Sequence, residues 1–163
     1  MKLKRSALIH WINATPSSTA TYYLIGKDVE DMSVELNPTI TTEKNILDQT
    51  SVTHEGYEPS MAVDTYFADP TEPIYDLLEA ISLQRLQGDD CKTQILEAIV
   101  EDTTATSHEA YLQDCIIEVT SYGGAQGGVR IPYTVHYVGE RKAGTVAINS
   151  TTGVPTFTPA SGG

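Results

Sequence analysis

Apolar side chains recur at every second position over most of the chain, the spacing that lays one face of a strand on a core. "SALIHWI" sets Ala7, Ile9 and Trp11 on one face, and "ATYYLIG" runs to a stop at Gly26. In "EDMSVELNP", Met32, Val34 and Leu36 alternate with Ser33 and Glu35 until Pro38 ends the ladder. "MAVDTYF" alternates Met61, Val63 and Thr65 with Ala62, Asp64 and Tyr66. Further on, Cys115, Ile117 and Val119 form one face, and Val129, Ile131, Tyr133, Val135 and Tyr137 another, with Val146 and Ile148 in "GTVAIN". Val, Ile, Thr and Tyr pack well on a pleated surface. The turn signals "GGAQGG", "GERKAG" and "TTGVP" separate the runs. Pro132 has no amide hydrogen, so its strand is expected at an edge or bulged there.

One stretch has the helical period. "PIYDLLEAISLQRLQGDD" aligns Ile74, Leu77, Leu78 and Ile81, with Leu86 near the end. Thr71 is the expected cap, Pro73 suits a first turn, and Gly88 suits a left-handed exit. Glu72, Asp76 and Glu79 favour the positive end of this helix and Arg85 its negative end. "CKTQILEAIVED" fits neither period well; its Ile and Val content and the turn-rich "DTTATSHEA" beyond it predict a strand. The pattern as a whole predicts a mainly β fold: a two-sheet antiparallel β-sandwich or barrel, one flanking α-helix at about 73–87, and a long extended loop at about 37–60.

That loop stands out. It is polar, with Ile46, Leu47 and Val52 spaced along it and "GYEPS" at its end. Long connections in compact domains are functional or disordered. Its apolar side chains are too sparse for a core of their own. They either anchor in a neighbour's groove or belong to a self-packed or disordered surface loop; the residues leave both open.

The length, 163 residues, suits a single domain over 1–163, with a basic arm at 1–6 and a short tail at 151–163. The formal net charge is −12 and unevenly placed. Residues 1–27 hold Lys2, Lys4, Arg5 and Lys27 and no acid. Residues 28–118 hold 21 acids against Lys44, Arg85 and Lys92. This asymmetry suits either like subunits meeting head to tail or a solvated acidic surface. It opposes nonspecific duplex binding, which needs cations to neutralise phosphates. No segment has the length of a membrane helix, and "MKLKRSALIHWINA" is expected as a basic arm running into a strand. Cys91 and Cys115 are expected as reduced thiols.

No catalytic or cofactor signature emerges. His10, His54, His108 and His136 have no metal-ligand spacing with each other or with the cysteines. His54 beside Glu55 lacks an HExxH pattern and is expected on the surface. "GGAQGG" lacks phosphate-loop spacing and is expected as a hairpin tip, and Asp89–Asp90 as a solvated turn. Tyr22, Tyr23, Tyr66, Tyr133 and Tyr137 lie on strands with few cations beside them, which suits a core or a subunit interface better than a nucleic-acid face. The reading is therefore not an enzyme: no catalytic, cofactor or metal residues, and an assembly role.

"YYLIGKDVEDMSVELNP", "KNILDQTSVTHEGYEPSMAVDTYFADPTEPIYDLLEAISLQRL" and "SYGGAQGGVRIPYTVHYVGERKAGTVAI" resemble the major tail (tail tube) proteins of tailed phages, particularly those of Gram-positive hosts. The resemblance spans nearly the whole chain. It implies a β-sandwich with a flanking helix, shared with the type VI secretion tube protein, that forms hexameric rings stacked into a tube. It implies self-association, a tape-measure protein within, tip or baseplate and terminator proteins at the ends, and a location in the virion tail after assembly in the host cytoplasm. DNA would pass the lumen without specific binding, and no membrane is implied. The family's long loop reaches the neighbouring ring; on this chain Ile46, Leu47, Val52, Tyr57 and Pro59 are then the expected interface residues. An acidic wall would repel phosphates, and Glu35, Asp64 and Glu118 are the lumen candidates. A tube of a bacteriocin-like injection particle, or a small monomeric β-barrel module or enzyme, are the competing expectations.

Overall fold

A computed structural model of the chain describes residues 1–161. Its strands are β1 (Leu8–Asn13), β2 (Tyr22–Leu24), β3 (Val34–Glu35), β4 (Pro38–Lys44), β5 (Thr50–Tyr57), β6 (Ser60–Val63), β7 (Lys92–Ile99), β8 (His108–Val119), β9 (Tyr133–Tyr137), β10 (Lys142–Ile148) and β11 (Pro155–Pro159). One α-helix, α1 (Pro73–Leu83), lies between β6 and β7. Every pairing is antiparallel. The mainly β fold with a flanking helix is as expected. Nine strands make one curled sheet, and the second sheet is the two-stranded ribbon β4–β5.

The large sheet forks at its longest strand. One edge of β8 pairs with β7, from Lys92↔Ile116 to Ile99↔Glu109. Along the other edge β9 and β10 follow one another, β9 opposite residues 115–119 and β10 opposite residues 108–112. From β9 the sheet continues through β6 to β3, and from β10 it continues to β11. Burial changes face across this fork. Met61, Val63, Cys115, Ile117, Tyr133 and Val135 join the buried α1 residues in the main core. On the opposite face, Trp11, Leu96, Ala98, Ala110 and Val146 form a second core, flanked by Ile148 and Phe157. Gly144 makes this second packing possible, since a Cβ there would lie 2.3 Å from the Thr158 carbonyl oxygen and 2.8 Å from the Phe157 ring.

The helical stripe behaves as its period predicts. Ile74, Leu78 and Ile81 are buried, and Leu77 and Leu86 pack half-buried against the same core. Its ends differ from expectation. Thr71 does not cap it: the Thr71 hydroxyl donates to Asp69 at 2.6 Å, and Glu72 is the N-cap, with no side-chain bond to the helix amides. Pro73 does open the helix. The helix stops at Leu83, because Arg85, not Gly88, takes the left-handed exit at φ 56°. The Leu86 amide then donates back to the Ile81 carbonyl at 3.2 Å, the six-to-one bond of a Schellman end, and both side chains are apolar. Gly88 opens the short turn that follows.

Other details correct the sequence reading. Pro132 lies just before β9, an inner strand between β8 and β6, so its missing amide costs the ladder nothing. The expected tail at 151–163 contains β11, paired from Ile148↔Pro155 to Gly144↔Pro159; residues 162–163 lie outside the described part. "CKTQILEAIVED" does supply a strand, β7. "GGAQGG" sits in the β8–β9 connection, closed by paired bonds between Gly123 and Arg130.

Candidate assembly interface

The stretch expected as an extended loop is extended, but it carries its own ladder. β4 and β5 pair from Lys44↔Thr50 to Pro38↔Tyr57, with one bulge between Thr39 and Ile40. Bonds at both ends explain why so polar a segment forms a ribbon. At the tip, the Asn45 side-chain oxygen accepts from the amides of Leu47 (2.9 Å) and Gln49 (3.0 Å), and the Asn45 amide donates to the Gln49 carbonyl at 3.1 Å. Asp48 completes the turn at φ 60°. At the foot, the Asn37 side-chain amide donates to the Glu58 carbonyl (3.0 Å) and towards Ser60 Oγ (3.3 Å). The Tyr137 amide donates to the Pro59 carbonyl at 3.0 Å, tying the ribbon to β9.

Between tip and foot the ribbon touches little. Every residue of β4 and β5 is exposed except Thr41 and Gly56, which are half-buried. Ile46 is 99% exposed, Leu47 70%, Val52 65% and Tyr57 58%. Pro59, the last interface candidate, is half-buried at the foot. An ordered turn that holds two aliphatic side chains in water forgoes the free energy of burying them, about 1.5–3 kcal/mol for each. A two-stranded ribbon alone is marginal in water, and three strands or a packed surface are needed for independent stability. His54 is exposed as expected, its ring 4.6 Å from that of Tyr57.

A cavity of about 770 Å³ opens at the ribbon's foot. Leu8, Met32, Val34, Leu36 and Tyr57 give it apolar walls, and Arg5, His10, Glu97 and Arg141 a polar floor. His10 is buried; its Nε2 donates to Glu97 Oε2 at 2.9 Å, while Arg141 donates to the other carboxylate oxygen at 2.7 Å. Arg141 also stacks over the Tyr111 ring at 4.4 Å. Burial pushes the Glu97 carboxyl up, but the bond and charge from His10 and the charge of Arg141 outweigh it and hold it below its ordinary value. Two buried polar atoms here have no partner, His10 Nδ1 and the Tyr137 hydroxyl. Burial raises the Tyr137 phenol, which keeps its proton and remains a donor.

The lumen candidates divide. In the ladder Glu35 lies opposite Ser60, Ser60 opposite His136, and Glu118 opposite Thr134. Alternation therefore places Glu35, Ser60, Ala62, Thr134, His136 and Glu118 on the face away from the main core. Glu35 and Glu118 are exposed, with His136 Nε2 3.4 Å from Glu118. Asp64 is exposed too, but it follows the end of β6 and belongs to no strand.

Sequence reasoning missed the cavity and its His10–Glu97–Arg141 network. Its members are brought together by the β1–β7 register, His10↔Glu97, and by the bend between β9 and β10, neither of which has a local signal. Of the tyrosines expected on strands, Tyr133 and Tyr137 are buried and Tyr22 and Tyr23 half-buried on theirs, while Tyr66 is buried but lies beyond the end of β6, in no strand. Among the described residues, no three His, Cys, Asp or Glu side chains are grouped to hold a metal ion, and no helix is long and apolar enough to cross a membrane. No family model matches the chain, and no curated protein does.

Proposed function

We propose that this protein is a structural subunit that assembles with copies of itself into stacked rings, the tail tube of a phage particle, and is not an enzyme. The observation that carries the reading is the ribbon β4–β5, a projection that leaves the Ile46, Leu47, Val52 and Tyr57 side chains more than half exposed. A single subunit leaves that apolar surface in water, and a second copy removes it. The curled sheet supports the same reading. Its ends, β2, β3 and β11, each pair on one edge only, and unpaired edges recruit further strands unless a ring closes them. Contacts between unlike surfaces close into rings when the rotation between copies allows. The sequence phrases resembling phage tail tube proteins point to the particle in which such rings would stack. The net charge of −12 suits a conduit whose wall does not hold DNA. In that setting a tape-measure protein would occupy the lumen, and tip and terminator proteins the ends.

The purified protein decides the matter by light scattering over a concentration series and by negative-stain imaging. Rings or tubes growing with concentration are the expected result. A monomer at every concentration would overturn the proposal and favour a small binding module.

A further inference from the structure

We infer that the tip of one copy's ribbon seats in the cavity at the foot of the next copy's ribbon. The inference rests on the self-assembly reading and adds where the ribbon goes. Tip and foot are complementary on two counts. The first is apolar surface: Ile46 and Leu47 protrude from the tip, while Leu8, Met32, Val34, Leu36 and Tyr57 line an open cavity of about 770 Å³. That volume lies within the range of about 300–1,000 Å³ that encloses a whole small ligand. The second is charge. The tip carries Glu43 and Asp48 against Lys44, a net negative charge. The cavity carries Arg5 and Arg141 against Glu97, a net positive one before His10 is counted.

The occupant has to come from another copy. β4 is seven residues long and spans about 24 Å at about 3.4 Å per residue. While the ladder holds, a copy's own tip stays about that far from its own foot. Tip and foot are thus unlike surfaces at opposite ends of one ribbon, and their contact repeats from copy to copy without using up either surface.

Disulfide trapping tests the contact. Leu47→Cys and Leu36→Cys, both at exposed positions, are prepared as separate chains distinguishable by size, mixed, assembled and oxidised. Val154→Cys, 55% exposed in the turn between β10 and β11, is the control partner for Leu47→Cys. The native Cys91 and Cys115 are buried and do not compete. A covalent heterodimer from 47 with 36, and none from 47 with 154, is expected. Assembled protein that lacks the 47–36 product, or forms the 47–154 product as readily, overturns this inference and leaves the tube proposal standing; wild-type protein that never assembles overturns both. A charge exchange gives an independent reading should Leu36→Cys itself block assembly. Arg5→Glu should raise the concentration needed for assembly about tenfold, and Asp48→Arg in the same chain should restore it; absence of rescue counts against the contact.

Discussion

Glu97 shows how one side chain can hold a site that no local pattern announces. In sequence it is an acid in a strand of ambiguous period. In the fold it lies on the core side of β7, mostly buried, and it is kept ionised by His10 on β1 and Arg141 near the start of β10. Its folded pKa lies below the ordinary carboxylate value of 4.5. The stability it contributes is therefore complete above about pH 4.5 and is lost as the pH falls through the lower folded value. Glu97→Gln should cost about 1–3 kcal/mol at neutral pH, since it leaves the Arg141 guanidinium poorly paired. It should also flatten the acid limb of stability, as urea unfolding at several pH values between neutrality and pH 3 will measure. Asp69 and Asp102, lowered by hydrogen bonds from Thr71 and Thr104, keep part of that limb in the variant. Arg85 teaches the reverse lesson: glycine is the usual left-handed exit of a helix, so the pattern pointed to Gly88, whereas the Leu86 to Ile81 closure required the turn three residues earlier.

At the scale of elements, α1 and the ribbon were legible to different depths. The helix follows from a stripe with a 3.6-residue period, and three residues of that stripe, Ile74, Leu78 and Ile81, are buried. The ribbon was visible only as an anomaly, a polar stretch without a core. Its strand character escaped because alternation marks a strand only where one face is buried, and β4–β5 has no buried face. The two elements should respond oppositely to a buried or displayed charge. Ile46→Asp with Leu47→Asp should leave thermal stability nearly unchanged and abolish tube formation, because both side chains already lie in water. Leu78→Asp, fully buried beneath α1, should lose about 4 kcal/mol or more and unfold the subunit. Melting curves and negative-stain images of both variants separate the two roles; a double variant that assembles normally would show that the ribbon is not the joint.

Over the whole molecule, the fork at β8 gives one sheet two cores on opposite faces. It leaves two further surfaces uncovered: the cavity beside the ribbon foot, and the polar face bearing Glu35 and Glu118. An acidic wall lets DNA slide by denying its phosphates counterions. If that face lines the conduit, Glu35→Lys with Glu118→Lys should leave folding intact and yield tubes that retain duplex DNA in a low-salt gel shift, where wild-type tubes leave it free. Tubes of the double lysine variant that ignore DNA would place that face elsewhere. Both positions are exposed, so neither change disturbs the core.

The class of fold, the alternating strands with a buried face, the helix and the acidic middle are legible along the chain, because burial periodicity and charge are properties of neighbouring residues. The fork at β8, the face each core takes, the pairing of the polar stretch into a ribbon and the meeting of His10, Glu97 and Arg141 at its foot emerge only in the folded molecule. Those features depend on register between strands distant in the chain, as when residue 10 finds residue 97, and pairing at that distance is set by packing of the whole sheet.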